Sequence, residues 1–182
     1  MTVKHYIDAQ NKHWDNILKE LTEGKKVSHW VWYVFPQIKG IVEMPSPIAQ
    51  KYEFNSLEQA REYASNDTLR DRLDVCIKLM LSNKEKTLVE LLPEPDNLKF
   101  ISSMTLFTLV LEDSKLYEEA LHVFNQGNMC EKSKEILIEM RVQEVEKERN
   151  EAQMKALMEH YGVQEQSWFE KFLDWIWSKF KK

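Results

Sequence analysis

The stretch SHWVWYVFPQ, residues Ser28 to Gln37, decides how the fold of this chain is interpreted. It brings two tryptophans, a tyrosine and a phenylalanine together, with a histidine near one end and a Pro-Gln pair at the other. Large aromatic side chains at this density belong either to the core of a domain or to the wall of a binding site. The residues around the stretch have to separate these two interpretations.

The composition predicts a folded, mainly helical protein. Of its 182 residues, 43% are hydrophobic and 30% are charged, so the chain can bury a sizeable core and does not have a disordered composition. Its 4 glycines and 5 prolines provide few tight turns, which favours long helices over many short strands. The net charge of −5 provides no basic surface for phosphates, so we expect no nucleic-acid partner.

The cysteines and the N-terminus predict a compartment. Cys76 and Cys130 are the two cysteines and lack metal-ligand spacing, as do the five scattered histidines, so we expect neither a metal site nor a cofactor. Two thiols suit a reducing environment. The N-terminal residues contain no apolar signal-peptide core, and no apolar run approaches the ~18 residues of a membrane span. We therefore expect a cytoplasmic protein.

Apolar spacing and capping residues predict the first helices. Residues 5–23 have apolar side chains three and four positions apart, which indicates an amphipathic helix. Ser56, Asn66 and Ser114 each precede such a pattern and are predicted N-caps. Residues 52–55 are interpreted as a short extended segment, which is the one exception to the all-helical prediction.

The segment LKFISSMTLFTLVLE, residues 98–112, is apolar on nearly every side. This is typical of a helix at the centre of a fold, while a buried strand is the competing interpretation. The length of the run favours the helix. Asp96 and Asn97 are the predicted N-cap candidates.

The composition changes near residue 130, and we predict three parts: a core domain over 1–128, a long charged helix over 129–162 and an amphipathic tail helix over 163–182. The apolar positions of the charged helix do not continue as a clean heptad, because Arg149 and Glu159 fall on the seam. A single exposed helix is therefore favoured over a coiled coil.

The tail is strongly amphipathic, with its aromatic residues on one arc and its lysines opposite. Such an apolar face needs to be covered. Its own domain, a second copy or protein partner, and a membrane surface compete, and the weak positive charge makes the membrane the least favoured. The candidate contacts are Trp168, Phe172, Trp175 and Ile176.

Residues 24–40, GKKVSHWVWYVFPQIKG, closely resemble the signature of the bacterial domain-of-unknown-function family 1810. The resemblance extends to the family's opening helix, its middle helices and its second signature, which correspond to YIDAQNKHWDNILKEL (6–21), SLEQAREYASNDTLRDRL (56–73) and DNLKFISSMTLF (96–107). It covers roughly residues 5–127 and implies a soluble, compact, helix-rich domain without a settled activity. After Gly40 the chain departs from the family's glycine-containing loop, which puts any backbone contact of that loop in doubt.

Three residues of the aromatic stretch are candidates for ligand contact. His29 is either a general base or phosphate partner, or a histidine that bonds a helix end or carbonyl in the core, and the second interpretation is favoured. Trp32 is either core or the rim of a pocket. Gln37 either satisfies a loop or orients a ligand.

Lys99, Ser102 and Ser103 interrupt the apolar segment and share a helix face. They either hold a phosphate or carboxylate, or are a snorkelling lysine and serines bonded to their own helix, which is the favoured alternative. If they meet His29 and Gln37, the polar groups and aromatic walls form a pocket for a small anionic ligand. The standard catalytic and nucleotide-binding motifs are absent. The sequence leaves open whether such a domain is an enzyme, a binding domain or an interaction module acting through its C-terminal helices.

Overall fold

The computed structural model of the chain describes residues 3–161, and this part contains nine α-helices and no β-strand. The mainly helical prediction is confirmed. The helices are α1 (Lys4–Thr22), α2 (Val31–Val34), α3 (Pro47–Tyr52), α4 (Leu57–Ser65), α5 (Asp67–Ser82), α6 (Leu88–Leu91), α7 (Asp96–Val110), α8 (Lys115–Asn125) and α9 (Glu131–His160).

The extended segment predicted over 52–55 is a single parallel bridge between Ile38 and Phe54. Tyr52 instead completes α3. The Phe54 N–H donates to the Gln37 carbonyl at 2.9 Å, and the Phe54 carbonyl accepts from the Lys39 N–H at 2.9 Å. These bonds fix the exit of the aromatic stretch against the segment that follows α3.

Two of the predicted N-caps are confirmed. The Ser56 hydroxyl accepts the Gln59 N–H at 3.3 Å, and the Asn66 side chain accepts the Leu69 N–H at 3.1 Å. Each bond satisfies one of the donors that a helix start leaves without an intrahelical partner. Ser114 precedes α8 as predicted, but its side chain caps no backbone N–H and bonds Glu118 instead.

The start of α7 differs from the prediction. Asp96 and Asn97 lie inside the first turn, and the residue before the helix is Pro95, whose side chain makes no capping bond. Asp96 does not serve as a cap because its carboxylate contacts Lys26 and Lys99. Asp96 therefore joins Lys99, a predicted site residue, in the candidate site described below.

Helix α7 is the central element of the first compact unit, Met1–Met140. Every residue from 100 to 107 is buried, which confirms the predicted central helix. The Phe100 ring meets Phe35 edge-on with 4.9 Å between centroids, so the aromatic stretch packs directly against α7. Edge-to-face contact of this kind adds stability beyond simple burial of the two rings.

The second unit is Arg141–Lys182, of which residues 141–161 are described. Residues 141–160 are helical, none of their side chains is buried, and Arg141 pairs with Glu144 at 2.6 Å. The predicted tail helix over 163–182 lies outside the described residues. The predicted division after residue 128 stays a prediction. Between residues 3 and 161, no helix combines the length and the apolar character that crossing a bilayer requires.

Candidate functional site

The loop before α2 is held by one buried carboxylate, that of Glu20 near the end of α1. It accepts the backbone N–H groups of Val27 at 2.8 Å and Ser28 at 3.1 Å, and the indole N–H of Trp30 at 2.7 Å. Burial raises the pKa of Glu20, but these hydrogen bonds outweigh burial and lower the pKa to about 2. Glu20 is therefore charged at neutral pH and fixes the backbone that carries Lys26 and its neighbours.

The two tryptophans of the aromatic stretch have different environments. Trp30 is fully buried, and its ring meets Phe35 at 6.0 Å between centroids. Trp32 is partly exposed on α2, and the Lys99 Nζ lies 3.4 Å from the centroid of its ring. A lysine at that distance is attracted by the negative face of the indole. Trp30 therefore belongs to the core, whereas the Trp32 ring and the Lys99 ammonium group lie together at a partly exposed position.

Three charged side chains form a compact cluster at the start of α7. Asp96 Oδ2 lies 2.5 Å from Lys26 Nζ, and Asp96 Oδ1 lies 2.7 Å from Lys99 Nζ. The side chains of Lys26, Asp96 and Lys99 are 4%, 15% and 12% exposed, respectively. Burial raises the pKa of Asp96, but the hydrogen bonds and charges of the two lysines outweigh it and hold that pKa below its usual value. Two ammonium groups thus share one carboxylate, and one positive charge is left over.

A groove of about 1050 Å³ lies beside this cluster. Its walls come from the loop before α2, from α2, from the loop after it and from the start of α7. Five of the predicted candidates line it: His29, Trp32, Gln37, Lys99 and Ser102. The aromatic stretch and the lysine-bearing helix, distant in sequence, therefore line one space.

The candidates differ in exposure within the groove. His29 is exposed at its edge, and Gln37 is partly buried. Ser102 is buried, and its hydroxyl shares a 2.8 Å hydrogen bond with the Ser133 hydroxyl. Ser103 is fully buried and is not among the lining side chains, because the next position on a helix points about 100° away. His29, Gln37 and Lys99 are thus the predicted polar groups that line the groove without being fully buried.

Sequence reasoning missed Lys26 and Asp96 as site residues. The spacing of Asp96 and Lys99 on a predicted helix is the signal that indicates their pairing, since residues three apart are neighbours on a helix. Nothing local indicates Lys26, which reaches the cluster only through the fold. Lys132 and Cys130 also line the groove and were not predicted.

Two further features considered in the sequence are a metal site and the contacts of the tail. Within the part of the chain that the structure describes, no group of three His, Cys, Asp or Glu side chains is arranged to hold a metal ion. The tail candidates Trp168, Phe172, Trp175 and Ile176 lie outside the described residues.

Comparison with known proteins agrees with the resemblance carried by the signature segments. The model of the family described as "protein of unknown function (DUF1810)" matches residues 1–137. The chain is also similar to the crystal structure of the conserved hypothetical protein Rv1873 from Mycobacterium tuberculosis, with 32% identity and a TM-score of 0.72. That match covers 75% of this chain and 96% of the other. No curated protein matches the chain.

The family match includes the aromatic stretch, the helix that carries Lys99 and the first turns of α9, and so contains every residue that lines the groove. The chain belongs to the DUF1810 family of proteins of unknown function.

Proposed function

We propose that the groove binds a small anionic ligand that bears a carboxylate or a phosphate. The observation that carries this proposal is the contact of Lys99 with the face of Trp32 inside a groove that His29 and Gln37 also line. Binding sites for small molecules combine apolar walls with a few polar groups that orient the ligand. This arrangement offers both.

Lys99 is the proposed anion contact. Its ammonium group has three N–H donors, of which Asp96 accepts one. The residual positive charge of the cluster lies in a setting that is mostly shielded from water, where attraction to an anion is stronger than at an open surface. Trp32 supplies the apolar wall that the ligand packs against. The side-chain amide of Gln37 and the imidazole ring of His29 supply hydrogen-bonding partners.

The test is a thermal-shift screen of carboxylates and phosphorylated metabolites against the full chain. Binding to the folded state raises the melting temperature. We expect at least one compound class to stabilise the wild type, and Lys99→Met to weaken its binding about 10- to 100-fold, as loss of a charge-assisted hydrogen bond implies. Lys78→Met, which removes an exposed lysine from α5, is the matched control and keeps the shift.

Two results contradict the proposal. One is the absence of a shift with every class of anion. The other is an equal shift in the wild type and in Lys99→Met.

The proposed compartment is the cytoplasm, in line with the free thiols of Cys76 and Cys130.

A second candidate function is self-association through the charged helix and the aromatic tail. It is favoured by the exposure of every described side chain from 141 to 161, apart from the partly buried Glu144 and Met158. Val142, Val145, Met154 and Leu157 are apolar residues among those exposed. Exposed apolar residues on one element are common at interfaces between chains.

Analytical ultracentrifugation of the full chain tests this candidate. We expect a concentration-dependent dimer that Val142→Glu combined with Val145→Glu weakens, while Lys147→Glu changes it little. A monomer at every concentration contradicts self-association. Co-sedimentation of that monomer with lipid vesicles would assign the tail to a membrane surface instead.

A further inference from the structure

We propose that the ligand of the groove is a small monocarboxylate with an apolar body, and that Asp96 is the residue that selects it over a phosphate. This inference rests on the proposed function and specifies its ligand class. It follows from the charge of the lining residues, the placement of Asp96 and the apolar edge of the groove.

The charges that line the groove sum to one. Lys26, Lys99 and Lys132 contribute three positive charges, and Glu94 and Asp96 contribute two negative ones, so one positive charge remains with His29 neutral. A carboxylate carries one negative charge and matches it. A phosphate monoester carries about −1.5 to −2 at pH 7 and leaves negative charge uncompensated. The groove is therefore balanced for a monoanion.

Asp96 occupies the centre of the charged cluster. Its two oxygens each contact one lysine, so it lies between both ammonium groups. Lys26 is 4% exposed, which leaves Lys99 as the cation of this cluster that a ligand can reach. An anion bound at Lys99 lies close to the Asp96 carboxylate as well, and the repulsion grows with the charge of the anion. Asp96 thus disfavours a dianion more than a monoanion.

Exposed apolar side chains line part of the groove. Val27, Val42 and Leu98 line the groove and are 73%, 51% and 63% exposed. Trp32, which is partly exposed, also lines the groove. Large apolar side chains grouped around a groove favour a ligand that covers them. A sugar phosphate would leave this surface uncovered, whereas an aryl or alkyl acid buries it.

The test compares three probes that share one apolar body, the 2-phenylethyl group: 3-phenylpropionate, 2-phenylethyl phosphate and 2-phenylethanol. Calorimetric titration of the full chain at pH 7.5 gives the affinity of each. We expect the carboxylate to bind at least tenfold more tightly than the phosphate and the alcohol. In Asp96→Asn the site gains one positive charge, and we expect the order of the two anions to reverse.

Two further variants keep the inference falsifiable. Asp71→Asn removes an exposed carboxylate on α5 and should leave the carboxylate-to-phosphate ratio unchanged. If Asp96→Asn does not fold, Glu94→Gln, at an exposed position in the lining, should shift the ratio toward the phosphate by a smaller factor.

The outcomes separate the two proposals. A wild type that prefers the phosphate, or an Asp96→Asn variant with an unchanged ratio, overturns the inference and leaves anion binding intact. A wild type that binds neither anion contradicts the proposed function itself, and the inference with it. Equal binding of the alcohol and the carboxylate shows that the apolar body alone is recognised and also overturns the selection by charge.

Discussion

Trp30 and Trp32 are two residues apart and have opposite environments. Trp30 is fully buried and gives its indole N–H to Glu20 at 2.7 Å, whereas Trp32 is partly exposed beneath the Lys99 ammonium group. The indole N–H of the buried ring is hydrogen-bonded within the protein, so this ring has no group left to bind a ligand. The exposed ring meets a charge at the wall of a groove. The same residue type is therefore core in one place and candidate site in the other.

The largest expected effect is a difference in the stability of the protein between variants of the two tryptophans. Trp30→Ala leaves a cavity and removes the indole donor, so we expect a loss of about 3–5 kcal/mol in the free energy of unfolding. Trp32→Ala removes a partly exposed ring and should cost less than about 2 kcal/mol. Urea denaturation of both variants measures the difference. Equal losses would contradict the assignment of Trp32 to the site rather than to the core.

Glu20 should account for the next largest effect. Glu20→Gln replaces a carboxylate that accepts hydrogen bonds from four donors, so these donors lose their charged partner, and we expect a loss of about 1–3 kcal/mol at pH 7. Asn16→Ala, which removes an exposed donor to Glu20, is the milder control. Denaturation curves that match the wild type would show that the loop before α2 does not depend on this carboxylate.

The pH dependence of that loss has a defined sign. The folded-state pKa of Glu20 is about 2, below the ordinary value of 4.5. Its contribution is therefore complete above about pH 4.5 and is lost as the pH falls toward 2. The difference in stability between the wild type and Glu20→Gln should shrink over that window, and a difference that widens on acidification would contradict the lowered pKa.

Local sequence patterns predicted those parts of the fold that depend on neighbours in the chain. The Ser56 and Asn66 caps and the central apolar helix are of this kind, because capping and periodicity act within a few residues. Helices α2 and α3 were not predicted, since helices of 4 and 6 residues are too short to be stable without tertiary packing.

The candidate site, like the fold, was predicted only where the signal is local in sequence. Trp32, Lys99 and His29 were proposed from the residues and the family signature, and the fold brings them to one groove. Lys26 was missed because its contact with Asp96 joins residues 70 positions apart, which no local pattern records. Asp96 was missed although its spacing from Lys99 is a local signal. Glu20, which positions the loop, was missed because its partners in that loop lie 7 to 10 positions away, beyond the three- and four-residue spacing of helix neighbours.

The two lysines of the cluster should differ in a way that parallels the two tryptophans. Lys26→Met removes the more enclosed partner of Asp96, and we expect a loss of about 1–3 kcal/mol in stability. Lys99→Met removes the more accessible partner and leaves Asp96 paired with Lys26, so it should cost about 1 kcal/mol, the net value of one hydrogen bond, while it weakens anion binding. Unfolding and binding measured on the same samples test both halves. A Lys99 variant less stable than the Lys26 variant would contradict the division of roles.

The smallest effect concerns the cysteines. Cys76 is buried in the core, and burial raises its pKa, whereas Cys130 is partly exposed in the groove wall. We expect a thiol reagent to label Cys130 rapidly in the folded protein and Cys76 only after unfolding. Mass spectrometry after timed labelling measures both rates, with Cys130→Ser as control. Equal rates under native conditions would contradict the burial of Cys76.

The most direct test of the central claim is an NMR titration of the tryptophan indole N–H signals in the full chain. The signals of Trp30 and Trp32 are assigned with Trp30→Phe and Trp32→Phe. As 3-phenylpropionate is added, we predict that the Trp32 signal moves to saturation and that the Trp30 signal stays in place. In Lys99→Met, we predict that the same movement of the Trp32 signal needs about 10- to 100-fold more ligand. A Trp32 signal that does not move with any small anion, or that moves equally in Lys99→Met, would contradict anion binding in the groove.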